Sequence, residues 1–111
     1  MTMLDVREYQ DADGISPFAD WFTELDATAA ARITVALIRI GQGNLSNAKG
    51  VGKGVLEFRL DVGPGYRVYF GRDGEVLVIL LAGGTKRRQQ KDIEAAQARW
   101  SDYKRRKRPG R

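Results

Sequence analysis

Alternation of hydrophobic and polar residues predicts four β-strands in this chain. It is strictest over Val55–Asp61, where apolar side chains take one face of the strand and charged side chains take the other. Tyr66–Phe70 alternates in the same way, and Val76–Ala82 is apolar throughout, as in a central strand covered on both faces. Asp73-Gly74 predicts a two-residue hairpin turn between these strands. Met3–Tyr9 alternates less regularly and predicts a first strand.

Apolar residues spaced three and four apart predict three helices. Ser16 followed by Pro17 marks the start of the first helix, because serine caps the first turn and proline needs no N–H partner there. Asp26 is the expected cap of the second helix, which two glycines end. The last helix begins near Arg87, after Gly83-Gly84-Thr85 breaks the apolar strand.

The order of these elements is strand, two helices, three strands and a helix, which is typical of an α+β fold with helices packed on an antiparallel sheet. The segment from Asn44 to Gly54 contains three glycines and is predicted to be a loop. It carries Lys49 and Lys53. Two interpretations of these lysines stay open, namely solvated side chains and functional contacts.

Composition excludes several classes of site. The 111 residues correspond to one domain and include no cysteine and no histidine, which excludes disulfides, thiol nucleophiles, Ser-His-Asp triads and Cys/His zinc sites. The first thirteen residues include four carboxylates, which argues against a signal peptide. No apolar run approaches the roughly 18 residues that span a bilayer. We therefore expect a cytoplasmic protein without a membrane segment, metal or cofactor.

Charge is divided unevenly along the chain. Residues 1–85 hold 8 Lys/Arg and 11 Asp/Glu, whereas residues 86–111 hold 11 Lys/Arg and only 3 Asp/Glu. A basic end on a mildly acidic body suggests contact with a polyanion, most simply a nucleic acid, and a solubilising extension is the alternative. We predict a domain over residues 1–103 and a disordered basic tail over residues 104–111, which lacks apolar residues.

The first candidate site lies on the predicted hairpin. Arg59 and Arg67 are placed symmetrically about Gly63, so they are expected to face each other on the outward, polar side of the sheet. Like charges opposite one another destabilise a sheet. Two interpretations therefore remain, a charge ladder neutralised by Glu57 and Asp61, and a phosphate clamp built from two planar guanidinium groups.

The second candidate site lies where the apolar strand passes into the last helix. Lys86, Arg87 and Arg88 follow the glycines, which permit close backbone approach, and a helix start attracts anions. Three cations at a helix start oppose the helix dipole, and such local conflict is typical of functional sites. On the neighbouring hairpin, Tyr66 and Tyr69 are interpreted either as a stacking surface for bases or as core.

These segments together resemble the RelE/ParE superfamily of toxins from toxin–antitoxin modules, and within it the phage-derived addiction-module killer proteins, which are HigB-like. The resemblance is carried by Phe58-Arg59, Gly65–Phe70, Leu80–Lys86, the Ser16-Pro17-Phe18 helix opening, and a Gly-Gly-x-Lys-x-x-Gln-x-x-Asp-Ile stretch at residues 83–93. It covers about residues 3–100 and implies a four-stranded, mainly antiparallel sheet. It also implies a helix-turn-helix antitoxin as the cognate partner, in a hetero-oligomeric complex.

RelE-like toxins cleave mRNA in the ribosomal A site without a metal, by attack of a 2′-hydroxyl on the adjacent phosphate. The resemblance therefore implies the ribosome and mRNA as further partners. The site residues that it implies are Arg59, Arg67, Lys86 and Asp92 for catalysis, and Lys49, Lys53, Tyr66, Tyr69, Arg87 and Arg88 for RNA binding. Asp92 stands near the position where some relatives have a catalytic tyrosine or histidine. A lysine with a lowered pKa is the other option for proton transfer.

Two other functions stay open. The ParE branch of the same superfamily inhibits DNA gyrase and cleaves nothing, and the absence of an obvious acid/base pair is compatible with that activity. The chain is also compatible with an inert phage remnant or a simple nucleic-acid-binding module. The paired strand arginines and the basic start of the last helix favour RNA cleavage.

Overall fold

The computed structural model describes residues 3–107, which form one mixed sheet with helices on both faces. The elements are β1 (Asp5–Glu8), α1 (Pro17–Thr23), α2 (Ala27–Gly41), β2 (Ala48–Gly50), β3 (Val55–Leu60), β4 (Tyr66–Asp73), β5 (Leu77–Thr85) and α3 (Gln89–Arg106), with a short 3-10 turn at Lys86–Arg88. The sheet order is β1-β5-β4-β3-β2; β1 runs parallel to β5, and the other neighbours are antiparallel. The predicted α+β fold is confirmed.

The sheet has five strands within the described residues rather than the predicted four. The additional strand, β2, lies in the segment that was predicted to be a loop, and it pairs with β3 so that Lys49 lies opposite Glu57. The loop prediction is therefore wrong at residues 48–50. Three residues are too few to show a hydrophobic period, so the strand forms only because β3 offers a pairing edge.

The helix starts follow the predicted caps. The Ser16 hydroxyl accepts a hydrogen bond from the Ala19 amide at 3.0 Å, and the Asp26 carboxylate accepts one from the Ala29 amide at 2.8 Å. Each cap satisfies an amide that the first turn of its helix leaves without a partner. The two helices are thereby fixed as a helical hairpin against the sheet.

The sheet is covered on both faces. Phe18 and Ile33 of the helical hairpin pack on one face against Phe58 and its neighbours, and α3 packs on the other through Trp100 and Ala96. The polar face of the β3–β4 hairpin was predicted to be outward. It is instead covered by α3, where Glu57, Arg67 and Tyr69 are buried, whereas Arg59 is half-buried and Asp61 is exposed.

Strand β5 continues through the glycines that were predicted to break it. A Cβ at Gly83 would overlap the Trp21 ring on one face, and a Cβ at Gly84 would overlap the Asp92 carboxylate on the other. The glycines thus admit helices closely on the two faces of one strand. The turn before β5 also differs from the prediction, because Asp73 pairs with Leu77 and leaves three connecting residues rather than two.

The last helix is longer than predicted. Lys104, Arg105 and Arg106 are helical, so the prediction of disorder from Lys104 onward is wrong for them, and residues 108–111 lie outside the described residues. Ion pairs hold this end of the helix, with Asp102 contacting two arginines and Lys107 Nζ lying 2.7 Å from Asp73 Oδ1. None of the helices within residues 3–107 has the length and apolar character needed to cross a membrane.

Candidate functional site

Two rows of residues cross the sheet beneath α3. In one row Lys49, Glu57 and Tyr69 lie opposite one another on β2, β3 and β4. In the next row Arg59 lies opposite Arg67, and Arg67 lies opposite Gly84 on β5. The predicted opposition of Arg59 and Arg67 is confirmed, and because cross-strand partners share a face, both arginines extend toward the start of α3.

Glu57 lies at the centre of this surface. Its side chain is fully buried and accepts hydrogen bonds from Arg59 Nε at 3.0 Å, the Tyr69 hydroxyl at 3.0 Å and Gln89 Nε2 at 2.7 Å. Burial raises the pKa of Glu57, but the donors from Arg59, Gln89 and Tyr69 outweigh it and hold this pKa below its ordinary value of 4.5. Glu57 is therefore the ionised anchor of the site.

Arg67 is not anchored in the same way. Its Nε lies 3.9 Å from Glu57 Oε2, which permits ionic attraction but is too long for a hydrogen bond. The side chain is 5% exposed, yet Nε and Nη1 have no hydrogen-bond partner within residues 3–107. Buried donors without acceptors are costly, so Arg67 presents unused hydrogen-bonding capacity and positive charge to any anion that reaches it.

An open cleft of about 460 Å³ adjoins Arg67. Its charged and amide side chains are Arg59, Arg67, Lys86, Gln89 and Asp61, and its remaining wall is the Gly63-Pro64-Gly65 turn. The amide of Lys86 donates to the Pro64 carbonyl at 3.3 Å, which ties the start of the last helix to this turn. The cleft thus combines three cations with one solvent-exposed carboxylate, a balance that favours an anionic ligand.

Asp92 lies in the first turn of α3, directly over Gly84. Its Oδ2 is buried and has no hydrogen-bond partner among the residues that the structure describes. Burial raises the pKa of Asp92 above its ordinary value of 3.8, although the charges of Arg88 and Arg99 act in the opposite direction. A carboxylate with a raised pKa is a suitable group for exchanging a proton near neutral pH.

The remaining cations predicted for RNA binding are exposed. Lys49 lies on β2, Lys53 lies in the following turn with a left-handed backbone (φ 57°), and Arg87 and Arg88 belong to the 3-10 turn. They are not part of the cleft lining. Lys86 alone of the three consecutive cations reaches the cleft, and the glycines beside Lys53 lie against Gln97 and Trp100 in the middle of α3.

The two predicted stacking tyrosines are not exposed together. Tyr69 is fully buried beneath α3 and hydrogen-bonds to Glu57, so its predicted outward position is wrong, and burial with the nearby Glu57 charge strongly raises its pKa. Tyr66 is half-buried on the opposite face, where its ring lies edge-on to Trp21 at 6.4 Å. Both rings pack inside the protein, which is the second of the two interpretations that the sequence left open.

Comparison with known families identifies the family of this chain. Residues 20–101 match the family described as phage derived protein Gp49-like (DUF891). The chain belongs to this Gp49-like family. That family is grouped with the addiction-module killer, RelE-like toxins. An uncharacterized protein of Haemophilus influenzae is 44% identical over 80 residues, which cover 71% of this chain and 81% of the relative.

The Gp49-like match contains the whole cleft, together with two residues whose roles the sequence did not reveal. Gln89 was noticed only as part of the Gly-Gly-x-Lys-x-x-Gln stretch, yet it lines the cleft and donates to Glu57. Glu57 was interpreted as one of two neutralising carboxylates, whereas it is the central acceptor. Strict alternation along β3 places Glu57 on the polar face of the strand. It does not predict that Glu57 is buried, because burial depends on a helix covering that face.

Proposed function

We propose that this protein is the toxin of a toxin–antitoxin module and that it cleaves mRNA on the ribosome. The observation that carries this proposal is the buried Arg67 guanidinium, which has two nitrogens without partners within residues 3–107 and adjoins a cleft that also contains Arg59 and Lys86. Membership of the Gp49-like family supports the module, and the cleft supports the chemistry.

Cleavage through a 2′-hydroxyl needs cations for the charge that develops on the phosphorane and groups that move protons. We assign the first role to Arg67, Arg59 and Lys86, because guanidinium donors held in place cost no rearrangement as the charge develops. Glu57 positions Arg59 through the 3.0 Å hydrogen bond to its Nε. It thereby leaves the rest of that guanidinium for the substrate.

We assign proton transfer to Asp92. Its carboxylate lies over Gly84, which is the cross-strand neighbour of Arg67, and burial raises its pKa. As the 2′-oxygen bonds to the adjacent phosphorus held by Arg67, its proton would pass to this carboxylate and the P–O5′ bond would break. The leaving 5′-oxygen would take a proton from Lys86, which gives a 2′,3′-cyclic phosphate and a 5′-hydroxyl, and both side chains would then exchange protons with water. We assign sequence-independent contacts with the RNA backbone to the exposed cations outside the cleft lining, which are Lys49, Lys53, Arg87 and Arg88.

Induction of the chain in a bacterial host tests the module. Growth should stop, and primer extension on a reporter mRNA should show new 5′ ends only while translation is active. Arg67→Met should strongly reduce both effects. Arg72→Met is the matched control, since Arg72 lies on the same strand but is exposed, and within residues 3–107 its side chain donates only to the Glu75 carbonyl.

The same experiment distinguishes gyrase inhibition from mRNA cleavage. A gyrase inhibitor would arrest growth without new mRNA ends, and the purified chain would block plasmid supercoiling by gyrase. Normal growth with confirmed expression of folded protein would contradict both activities. Relief of arrest by the protein of the neighbouring reading frame is expected if that protein is the antitoxin.

A further inference from the structure

The outer surface of α2 carries apolar residues that remain exposed to solvent in the fold. Val35 and Ile38 are 47% and 54% exposed and lie three residues apart, on one side of the helix. Two aliphatic side chains left in solvent on one helix face are a weak signal when isolated. They become informative through the groove beside them.

A groove of about 360 Å³ runs between α2 and the edge of β3. Val35 and Ala36 line it from the helix, and Phe58, Leu60 and Val62 line it from β3 and the residues that follow it. The groove is on the helical-hairpin side of the sheet, whereas the cleft lies under the start of α3. Ala36 and Phe58 are buried at its base, whereas Val35 is exposed and Leu60 and Val62 are half-buried, so its walls offer apolar surface to another apolar side chain.

Three arginines line the groove, and one of them, Arg59 on β3, is shared with the cleft. Arg32 and Arg39 line it from α2, seven residues apart and therefore about 10 Å along the same side of the helix. Within the described range of the chain neither guanidinium forms an ion pair or a side-chain hydrogen bond. The one carboxylate in the lining is Asp61, at the end nearest the cleft. The groove is therefore complementary to a segment with apolar and acidic side chains.

The groove is continuous with the candidate site. Arg59 and Asp61 line both the groove and the cleft. Arg32 and Val62 connect the groove to a smaller hollow of about 130 Å³, which ends at Gly63 and Tyr66 beside the β3–β4 turn. A chain lying in the groove would consequently reach the rim of the cleft at Arg59 without occupying it.

We propose that this groove binds an amphipathic segment of a partner protein, with acidic side chains toward Arg32 and Arg39 and apolar side chains on Val35 and Leu60. RNA is disfavoured as the occupant, since Phe58, the aromatic side chain of the lining, is 2% exposed and offers no surface for stacking, and the exposed Val35 offers no contact to a phosphate. The identification of that partner as the antitoxin rests on the proposed function. The location and the acidic chemistry rest on the groove.

The test uses the full chain co-expressed with the protein of the neighbouring reading frame. Val35→Glu and Arg32→Glu each place a negative charge in the groove and should weaken the complex about tenfold or more. Thr34→Glu is the matched control, because Thr34 is exposed on the same helix, next to Val35, and does not line the groove. Circular dichroism should show that all three variants fold.

Growth arrest separates this proposal from the proposed function. Val35→Glu and Arg32→Glu should still arrest growth, because neither residue belongs to the cleft, but the neighbouring protein should no longer relieve the arrest. A complex that forms equally well with all variants overturns the groove while leaving the toxin assignment intact. Absence of any complex with the unsubstituted chain overturns the antitoxin partner and this proposal together.

Two further outcomes identify a different occupant and would also overturn the proposal. Light scattering that shows self-association of the unsubstituted chain, lost in Val35→Glu, would assign the groove to a second copy. Binding of a short single-stranded RNA that weakens in Val35→Glu but not in Thr34→Glu would assign it to nucleic acid. The expected result is a monomer whose RNA affinity is the same in both variants.

Discussion

Arg67 Nε lies 3.9 Å from Glu57 Oε2, one row away on the neighbouring strand and without a hydrogen bond between them. Glu57 already accepts three donors, from Arg59, Tyr69 and Gln89. The carboxylate therefore lowers the cost of burying the second guanidinium through ionic attraction without using its N–H groups. This relationship explains how two arginines are kept opposite each other although Nε and Nη1 of Arg67 have no hydrogen-bond partner within residues 3–107.

Arg67→Met should separate activity from stability. We expect mRNA cleavage to fall about 100-fold, as when one donor to a developing oxyanion is removed. We expect the free energy of unfolding to rise by about 1 kcal/mol, because two buried N–H groups without partners are replaced by apolar atoms. Primer extension and urea denaturation measure the two quantities.

Arg59→Met provides the comparison for that experiment. Arg59 is 38% exposed and donates to Glu57, so its loss should lower the free energy of unfolding by about 1 kcal/mol while also reducing cleavage. If Arg67→Met instead unfolds at lower urea and still cleaves, Arg67 is only a structural counter-ion of Glu57 and the cleft is not the site.

Glu57→Gln should change how stability depends on pH. The pKa of Glu57 is lower in the folded chain than its ordinary 4.5, so its stabilisation is fully present above pH 4.5 and is lost as the pH falls through the folded pKa. At neutral pH the variant should be less stable by roughly 2 kcal/mol, since the buried guanidinium groups lose their counter-charge. Below pH 4.5 the difference between the two chains should shrink, which thermal denaturation across a pH series measures.

Asp92→Asn should have the opposite effect on stability. Burial raises the pKa of Asp92, so the folded state favours the neutral carboxyl, and the stability present below pH 3.8 is lost as the pH rises through the folded pKa. The asparagine variant should therefore melt at a higher temperature than the unsubstituted chain at neutral pH, and at a similar temperature in acid. Cleavage should fall about 100-fold if Asp92 accepts the proton. Unchanged cleavage would transfer that role to another group.

Gly84→Ala tests the contact between α3 and β5. A Cβ at residue 84 would overlap the Asp92 carboxylate, so we expect a loss of roughly 2 kcal/mol in the free energy of unfolding. Most of that loss should disappear in the Asp92→Ala background, because the overlapping atoms are gone. Gly50→Ala is the control, since a Cβ there meets nothing within 4 Å. Equal losses in both backgrounds would show that the strand backbone, not Asp92, is sensitive.

Local signals predicted much of this molecule. The caps at Ser16 and Asp26 and the opposition of Arg59 and Arg67 depend on residues that lie close together in sequence, and all three are confirmed. The burial of Glu57 was not predicted, and that of Tyr69 was only one of two interpretations, because both depend on α3 returning across the sheet. Alternation shows that a strand has two different faces but does not show which of them a distant helix covers.

The glycines at residues 83 and 84 illustrate the same limit. In the sequence they mark the end of an apolar strand. In the fold they place no side-chain atoms on β5, so that Trp21 and Asp92 can pack directly against its backbone. Gly83 packs against Trp21, more than 60 positions earlier in the chain, and Gly84 packs against Asp92, eight positions later. The prediction that failed, a strand break at Gly83-Gly84, used only local residue preferences. The eight-residue spacing from Gly84 to Asp92 is part of the Gly-Gly-x-Lys-x-x-Gln-x-x-Asp-Ile stretch.

Deletion of residues 104–111 should weaken ribosome association and also lower the melting temperature. The segment contains six cations, so the full-length chain should show the steeper dependence of log affinity on log salt. Loss of stability is expected because Arg105 and Arg106 pair with Asp102, and Lys107 pairs with Asp73. Deletion of residues 108–111 alone is the matched control, since it leaves all of these pairs in place. Cleavage at saturating ribosome concentration should survive both deletions. Its complete loss in a folded truncation would place part of the active site at the end of α3, and equal salt slopes for all three chains would show that the basic end does not contact RNA.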